Sequence, residues 1–187
     1  MKKFTIAALL VLSAAFCFAQ VPQPTITSPN TDLYVGYIAT SPDYGGLFRD
    51  SINGFELAFT KTYRPHLAVV GSAAFSFGNP YSVKEFSGTV GPKVNLLTGR
   101  VRPYATAQFG VAVQDSNGMY AGDHHPPQKA GKELTEDGLT YRAGVGTDVQ
   151  LNSKVYWRVL QWDVQPQPWA RHTPFYQNFS SGLGWRF

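Results

Sequence analysis

Eight segments of the chain alternate apolar and polar side chains with a period of two, and this pattern constrains the fold more than any other feature. In the fifth segment, for example, Ala107 and Phe109 flank Gln108. Successive side chains of a β-strand point to opposite faces of the sheet, so the pattern predicts strands with one apolar face and one polar face. The predicted strands are residues 31–41, 52–63, 66–77, 84–97, 100–114, 138–151, 154–165 and 175–187.

The connections between these segments alternate in length. This alternation is typical of an outer-membrane barrel, which has an even number of strands, short turns at one end and longer loops at the other. The segments also reach the roughly 9–11 residues that a tilted membrane-spanning strand needs. The sequence therefore predicts an all-β fold, an eight-stranded antiparallel up-and-down transmembrane β-barrel. Short connections are predicted at 62–66, 97–100 and 152–154, and longer ones at 42–51, 78–83, 115–137 and 166–174.

Charged side chains fall on the face opposite the aromatic residues. In a barrel of about eight strands this face surrounds a lumen that side chains fill, and a charge in such a place must be paired because an isolated one is costly. We expect a lumenal polar network, with water-facing surface charges as the alternative. Its predicted members are Glu56, Lys93, Arg142, Asp148, Asp163 and Arg186.

The seventh segment contains one irregularity. Arg158 and Asp163 are five residues apart, so strict alternation cannot direct both side chains into the lumen. Either Arg158 extends outward to a membrane interface, or a β-bulge lies between the two residues. We favour an arrangement with Gln161 and Asp163 inward.

Aromatic residues concentrate near the ends of the predicted strands. Amphipathic rings prefer the two interfaces of a membrane, so this placement predicts two aromatic girdles. One girdle is predicted at Tyr63, Trp157, Trp185 and Phe187, and the other at Trp162, Trp169, Phe175 and Tyr176.

The start of the chain has the features of a secretory signal peptide. Two lysines precede an apolar run that is too short to span a bilayer as a helix, and the small residues at 17 and 19 suit cleavage before Gln20. Cys17 is the only cysteine, so we expect no disulfide after cleavage. We predict a signal peptide at 1–19, a Pro-rich leader at 20–30 and the barrel at 31–187.

The last segment carries the most specific signal. Phe179, Leu183, Trp185 and Phe187 share one face, and only Ser181 interrupts their apolar character. This pattern resembles the C-terminal signal by which the barrel assembly machinery recognises outer-membrane proteins.

Taken in order, several stretches resemble the outer-membrane β-barrel domain family, the OmpA/OmpX-type eight-stranded barrels. The resemblance implies a barrel inserted in the cell outer membrane, in contact with its lipid and lipopolysaccharide, and it implies little about activity. The stretches are VRPYA (101–105), AGVGTDV (143–149), RVLQWDV (158–164) and the closing strand.

No motif in the sequence predicts catalysis, a cofactor or nucleic-acid binding. The chain has no G-x-S-x-G nucleophile motif, and Asp123-His124-His125 lacks the further ligands that a metal site needs. A formal net charge of +4 without a basic block does not favour nucleic acid. We therefore expect a non-enzymatic barrel with a structural or surface-interaction role.

Two alternatives to this expectation stay open. One is a narrow outer-membrane channel, although eight strands leave little room beside Tyr104, Gln108 and Arg142. The other is a soluble, lipocalin-like ligand-binding barrel, whose apolar faces would point inward. The loop at 115–137 is the predicted contact for an extracellular partner, because exposed loops often carry binding residues.

Overall fold

The computed structural model describes residues 31–42, 52–78, 83–117, 133–167 and 175–187. Among these residues, no helix is long and apolar enough to cross a membrane. The predicted signal peptide at 1–19 and leader at 20–30 lie outside the described residues. The described strands are β1 (Thr31–Pro42), β2 (Ile52–Arg64), β3 (Leu67–Gly78), β4 (Val83–Asn95), β5 (Val101–Asn117), β6 (Glu133–Gln150), β7 (Val155–Pro166) and β8 (Phe175–Arg186).

The eight strands form a closed barrel in which each strand is antiparallel to its neighbours in sequence. β1 and β8 close the sheet, with Asp32 opposite Arg186 and Thr40 opposite Asn178. Closure satisfies the backbone groups that an edge strand would leave unpaired. The predicted eight-stranded antiparallel up-and-down barrel is confirmed.

The two ends of the barrel differ in how the strands are connected. At the turn end, where β1 begins and β8 ends, the connections are residues 65–66, 96–100 and 151–154. At the loop end, the connections are residues 43–51, 79–82, 118–132 and 167–174, and all of them except Gln167 lie outside the described residues. Three of the four loop-end connections are longer than every turn-end connection, but the one at 79–82 is not, so the predicted alternation in length holds only in part.

Period-two alternation gives the barrel an apolar outer wall and a polar interior. In β2, Glu56 is buried, whereas its neighbours Phe55 and Leu57 are exposed on the outer wall. Phe109 of β5 is 60% exposed, and Arg142 of the adjacent strand β6 is 1% exposed. A soluble lipocalin-like barrel requires the opposite orientation, so that alternative does not fit the structure.

The hairpin of β5 and β6 is longer than the alternation predicts. Its pairing continues to Asn117 opposite Glu133, so the predicted loop at 115–137 is wrong and the connecting segment is 118–132. The added residues are polar except for Leu134, and backbone pairing holds them without an alternating apolar pattern. Because β6 pairs with β7 only from Ala143 onward, the hairpin extends past β7 at the loop end.

A β-bulge in β7 resolves the irregularity at Arg158. On the β8 side, Arg158 pairs with Gly182 and Gln161 pairs with Ser180, so two residues of β7 face one residue of β8. Both β7 residues of the bulge, one of which is the extra residue, are exposed on the outer wall. The insertion shifts the alternation by one residue. Arg158, Gln161 and Asp163 are therefore all buried, and the bulge is the alternative that applies.

Candidate functional site: the polar interior of the barrel

Polar side chains dominate the interior of the barrel. Among the described residues, 24 polar or charged residues are buried, against 11 hydrophobic ones, of which four are tyrosines. Buried polar groups must be hydrogen-bonded or ion-paired to avoid a large desolvation cost. The contacts inside the barrel show how these groups are satisfied, and all six residues of the predicted network take part in them.

Arg142 of β6 joins opposite sides of the barrel. Its Nη1 lies 2.6 Å from Glu56 Oε1 of β2, and its Nη2 lies 2.6 Å from Asp163 Oδ2 of β7. Gln161 donates to both carboxylate oxygens of Asp163, at 3.0 and 2.8 Å. A planar guanidinium suits two carboxylates at once because its donors are fixed in a fork. This arrangement links strands that are not neighbours in the sheet.

Asp148 of β6 is the centre of a second ion-pair cluster. Lys93 Nζ of β4 lies 2.7 Å from its Oδ2, and Arg158 Nε of β7 lies 3.0 Å from its Oδ1. Two cations on one buried carboxylate leave a local positive charge. The tyrosine rings that surround the cluster compensate for it, because the face of an aromatic ring attracts cations.

Two tyrosines lie against these cations. The guanidinium carbon of Arg158 is 3.9 Å from the ring centroid of Tyr34 and 5.3 Å from that of Tyr104. Lys93 Nζ is 3.8 Å from the Tyr104 centroid, and the Tyr104 hydroxyl donates to Gln161 Oε1 at 2.7 Å. The stacked rings and cations fill the middle of the barrel.

Glycines make room for the rings. A Cβ at Gly146 would collide with the Tyr104 ring, and one at Gly184 would collide with the Tyr156 ring. Glycine lets another group approach the backbone closely. The glycines of the inward face, such as Gly146, are therefore sites on which tyrosine rings pack.

Arg186 forms the ion pair nearest the turn end. Its Nε lies 3.0 Å from Asp32 Oδ1. These two residues, with Lys93, Arg102 and Asp148, line a small polar cavity of about 20 Å³. This volume has room for about one water molecule, so the cavity is a small gap in an interior that side chains otherwise fill.

Hydroxyls and amides satisfy the polar groups between the charges. Ser72 and Thr89 both donate to Gln108 Oε1, at 2.8 and 2.7 Å. Nearer the loop end, Thr40 donates to Asn178 Oδ1 at 2.8 Å. These bonds again cross between strands, so neutral networks continue the side-chain packing beyond the ion pairs.

Glu85 of β4 has a different environment at the loop end. Gln165 Nε2 and Gln167 Nε2 donate to its Oε1, at 3.1 and 2.9 Å. No cation of the described chain forms a salt bridge with Glu85. Asn178 donates to Gln165 Oε1 at 2.9 Å, so amides and not guanidinium groups surround this carboxylate.

The C-terminal pattern lies on the outer wall. Phe179, Leu183, Trp185 and Phe187 are all exposed on one face of the closing strand. Ser181, which interrupts their apolar character, donates to the backbone carbonyl of Arg158 at 3.0 Å. The serine therefore compensates for the ladder bond that the bulge in β7 disrupts.

The predicted aromatic girdles are only partly matched. Trp157, Trp162 and Phe175 are exposed on the outer wall, whereas Trp169 lies outside the described residues. The prediction for Tyr176 is wrong, because Tyr176 is fully buried and its hydroxyl donates to Gln114 Oε1 at 2.9 Å. Its position follows the β8 alternation, in which 176, 178 and 180 point inward.

Sequence reasoning missed two interior charges and left a third undecided. Asp32 and Glu85 lie on the inward faces of their strands. Asp32 is an even number of residues from the buried Tyr34, and Glu85 is an even number of residues from the buried Lys93. That signal was available in the sequence. The position of Arg158 was left open between two alternatives, because its spacing from Asp163 indicates an irregularity but does not show whether a bulge turns the side chain inward.

Few groups in this interior suit chemistry on a substrate. His66, in the turn before β3, is exposed and its Nδ1 lies 2.7 Å from the Asn95 carbonyl oxygen. Asp123, His124 and His125 lie outside the described residues. In the part of the chain that the structure describes, no three His, Cys, Asp or Glu side chains cluster as metal ligands.

A closed eight-stranded barrel with an apolar exterior and an ion-paired interior has the fold of the small outer-membrane β-barrels. No protein-family model and no curated protein matches the chain. Solved structures with the same fold do match, each at low sequence identity, and the likeness is therefore one of fold.

Three of these structures illustrate the likeness. Ail, the attachment invasion locus protein of Yersinia pestis, solved with the heparin analogue sucrose octasulfate, has a TM-score of 0.59 at 16% identity and covers 86% of this chain and 100% of its own. Neisserial surface protein A has a TM-score of 0.58 at 12% identity, covering 85% of this chain and 97% of its own. The outer membrane protein OprG of Pseudomonas aeruginosa has a TM-score of 0.52 at 16% identity, covering 86% and 96%.

Proposed function

We propose that this chain is an integral outer-membrane β-barrel with a structural or surface-interaction role and a closed interior. The observation that carries the proposal is the inverted polarity of the described barrel. Thirty-one large hydrophobic side chains are exposed, and the interior is mostly polar. Soluble monomers rarely expose apolar patches larger than a few hundred Å². Acyl chains are the environment in which such a wall is stable.

The solved structures support the same location. OprG is an outer membrane protein, and Ail is described as one in a phospholipid bilayer nanodisc. For this chain, we propose contact with outer-membrane lipid and lipopolysaccharide, and delivery by the barrel assembly machinery through the C-terminal pattern. The predicted signal peptide at 1–19 accounts for export.

A closed interior is favoured over a channel. Arg142 lies between carboxylates on β2 and β7, and Arg158 is stacked between the rings of Tyr34 and Tyr104. These groups cross the middle of a barrel whose radius is set by only eight strands. The proposal therefore includes no pore, no catalytic step and no cofactor.

The long β5–β6 hairpin is the proposed contact surface for a partner outside the cell. It extends past β7 at the loop end, and its exposed residues include Asp115 and Asp137. Ail, a protein of the same fold, is an attachment invasion locus protein and was solved with a heparin analogue. An acidic hairpin would favour a partner with basic groups.

Cell-envelope fractionation tests the location directly. We expect the protein in the outer-membrane fraction, extracted only by detergent and with heat-modifiable gel migration. A cysteine at Asp137 should react with a membrane-impermeant maleimide on intact cells, whereas the parent chain should not. Release of the protein by osmotic shock, or protection of position 137, would contradict the proposal.

A further inference from the structure

Five carboxylates are buried in the described part of the barrel, and four of them have a cationic partner. Asp32 pairs with Arg186, Glu56 and Asp163 pair with Arg142, and Asp148 pairs with Lys93 and Arg158. Glu85 is the exception, because its contacts are the amides of Gln165 and Gln167. Buried charges in proteins are paired or bind metal ions.

Two oxygen atoms at this place have no hydrogen-bond partner. They are Glu85 Oε2 and Gln167 Oε1, both on buried side chains. The Gln167 amide also donates through Nε2 to the other oxygen of Glu85, at 2.9 Å. The two free acceptors therefore belong to side chains that are already joined, one charged and one neutral.

Unpartnered buried oxygens occur elsewhere in the barrel, but their environment differs. Glu56 Oε2 also lacks a hydrogen-bond partner, yet Glu56 has a cationic partner, because its other oxygen lies 2.6 Å from Arg142. The serine and threonine oxygens without partners are neutral. Only at Glu85, among the described residues, do a buried unpaired charge and a second free oxygen acceptor occur together.

We propose that Glu85 and Gln167 form a binding site for a hard divalent cation of the Ca²⁺ type at the loop end of the interior. Carboxylate and amide oxygens are the ligands that such cations prefer, with water completing the coordination. A divalent cation would neutralise the carboxylate with which no cation of the described barrel forms a salt bridge. The site goes beyond the proposed function and does not depend on the identity of a partner.

Gln165 and Gln114 border the site, and their side-chain oxygens already accept hydrogen bonds. Gln114 lies opposite Glu85 in the β4–β5 register, and Gln165 Oε1 accepts from Asn178. With a single carboxylate the site should be weak, because Ca²⁺ affinity rises with the number of charged ligands. We expect a dissociation constant of about 10⁻⁴–10⁻³ M, the range of extracellular calcium modules.

Calcium titration of the full chain in detergent micelles tests the proposal. The probe is Ca²⁺ alone, followed by isothermal titration calorimetry after treatment with a chelator. We expect one saturable site in the unmodified chain and at least tenfold weaker binding in Glu85→Gln. The matched control is Asp115→Asn, a carboxylate on the outer wall at the same end of the barrel, which should change the affinity by less than twofold.

Three results would overturn the proposal. One is the absence of saturable binding up to about 10 mM Ca²⁺, well above the expected range, which would indicate that Glu85 is protonated or paired with a loop side chain. Another is equal binding by the unmodified chain and Glu85→Gln. Heat-modifiable migration checks folding, and if Glu85→Gln does not fold, Gln167→Leu replaces it with the same expected loss. Unchanged affinity in a folded Gln167→Leu would also count against the site.

Discussion

The middle and the loop end of the barrel interior both contain buried carboxylates, but the side chains that contact these carboxylates differ between the two regions. In the middle, Asp148 and Asp163 are each held by side-chain cations from other strands. At the loop end, Glu85 is held by glutamines that neutralise no charge. The central charges are therefore part of the side-chain packing, whereas the carboxylate of Glu85 is available to the proposed divalent cation.

The largest expected effect comes from removing the central cation. Arg142→Met leaves Glu56 and Asp163 buried without a partner, and breaking a buried pair in this way costs about 3–5 kcal/mol. Urea unfolding in detergent micelles measures the loss. The control is Arg64→Met, an exposed residue at the turn end, which should change stability little. If both variants were equally stable, the central network would not hold the barrel together.

Neutralising the loop-end carboxylate should raise the free energy of unfolding, whereas Arg142→Met should lower it. In chelator, Glu85→Gln removes an unpaired buried charge and keeps the shape of the side chain, so we expect a gain of about 2 kcal/mol in the free energy of unfolding. Added Ca²⁺ should stabilise the unmodified chain and leave the variant unchanged. A loss of stability in Glu85→Gln would place Glu85 with the paired charges of the middle and remove the contrast between the regions.

The tyrosine stacks of the middle should tolerate no added methyl group. Gly184→Ala places a Cβ against the Tyr156 ring, and such overpacking costs about 1 to 2 kcal/mol. Gly88→Ala is the matched control, because its Cβ would meet only Phe86 at 3.9 Å. Thermal or urea unfolding compares the two variants. Equal effects would mean that the rings are free to move aside.

The smallest expected effect concerns the bulge that brings Arg158 into the middle. Ser181→Ala removes the hydroxyl that donates to the Arg158 carbonyl, at a cost of about 1 kcal/mol. The same urea titration detects it, with Ser181→Thr as the variant that keeps the hydroxyl. If Ser181→Thr were as destabilised as Ser181→Ala, the hydrogen bond would not be the cause.

Much of this fold can be predicted from local sequence patterns. Alternation locates the eight strands because each strand has one apolar and one polar face, and Glu56 and Arg142 follow from it directly. The inward position of Arg158 does not, because a bulge is an exception to the period. The end of the β5–β6 hairpin also could not be located from the sequence, because polar residues such as Thr135 and Asp137 do not give an alternating apolar pattern.

The contacts between interior side chains could not be predicted from the sequence, for a different reason. The period-two alternation shows that Glu56 and Asp163 point inward, but it does not show that the Arg142 guanidinium contacts both of them. That contact depends on the curvature and stagger of the closed barrel. The pairing of Tyr104 with Gly146 has the same origin, because the two residues are opposite only once the strand register is known.

The central claim is that apolar side chains face lipid while polar side chains fill the interior, and cysteine labelling tests it most directly. Val145→Cys lies on the outer wall, and Thr106→Cys lies inside on the adjacent strand. In native membranes, we predict that the cysteine at 145 reacts only with a lipid-soluble maleimide and that the cysteine at 106 reacts with neither reagent. Rapid reaction of position 145 with a water-soluble maleimide would contradict the account.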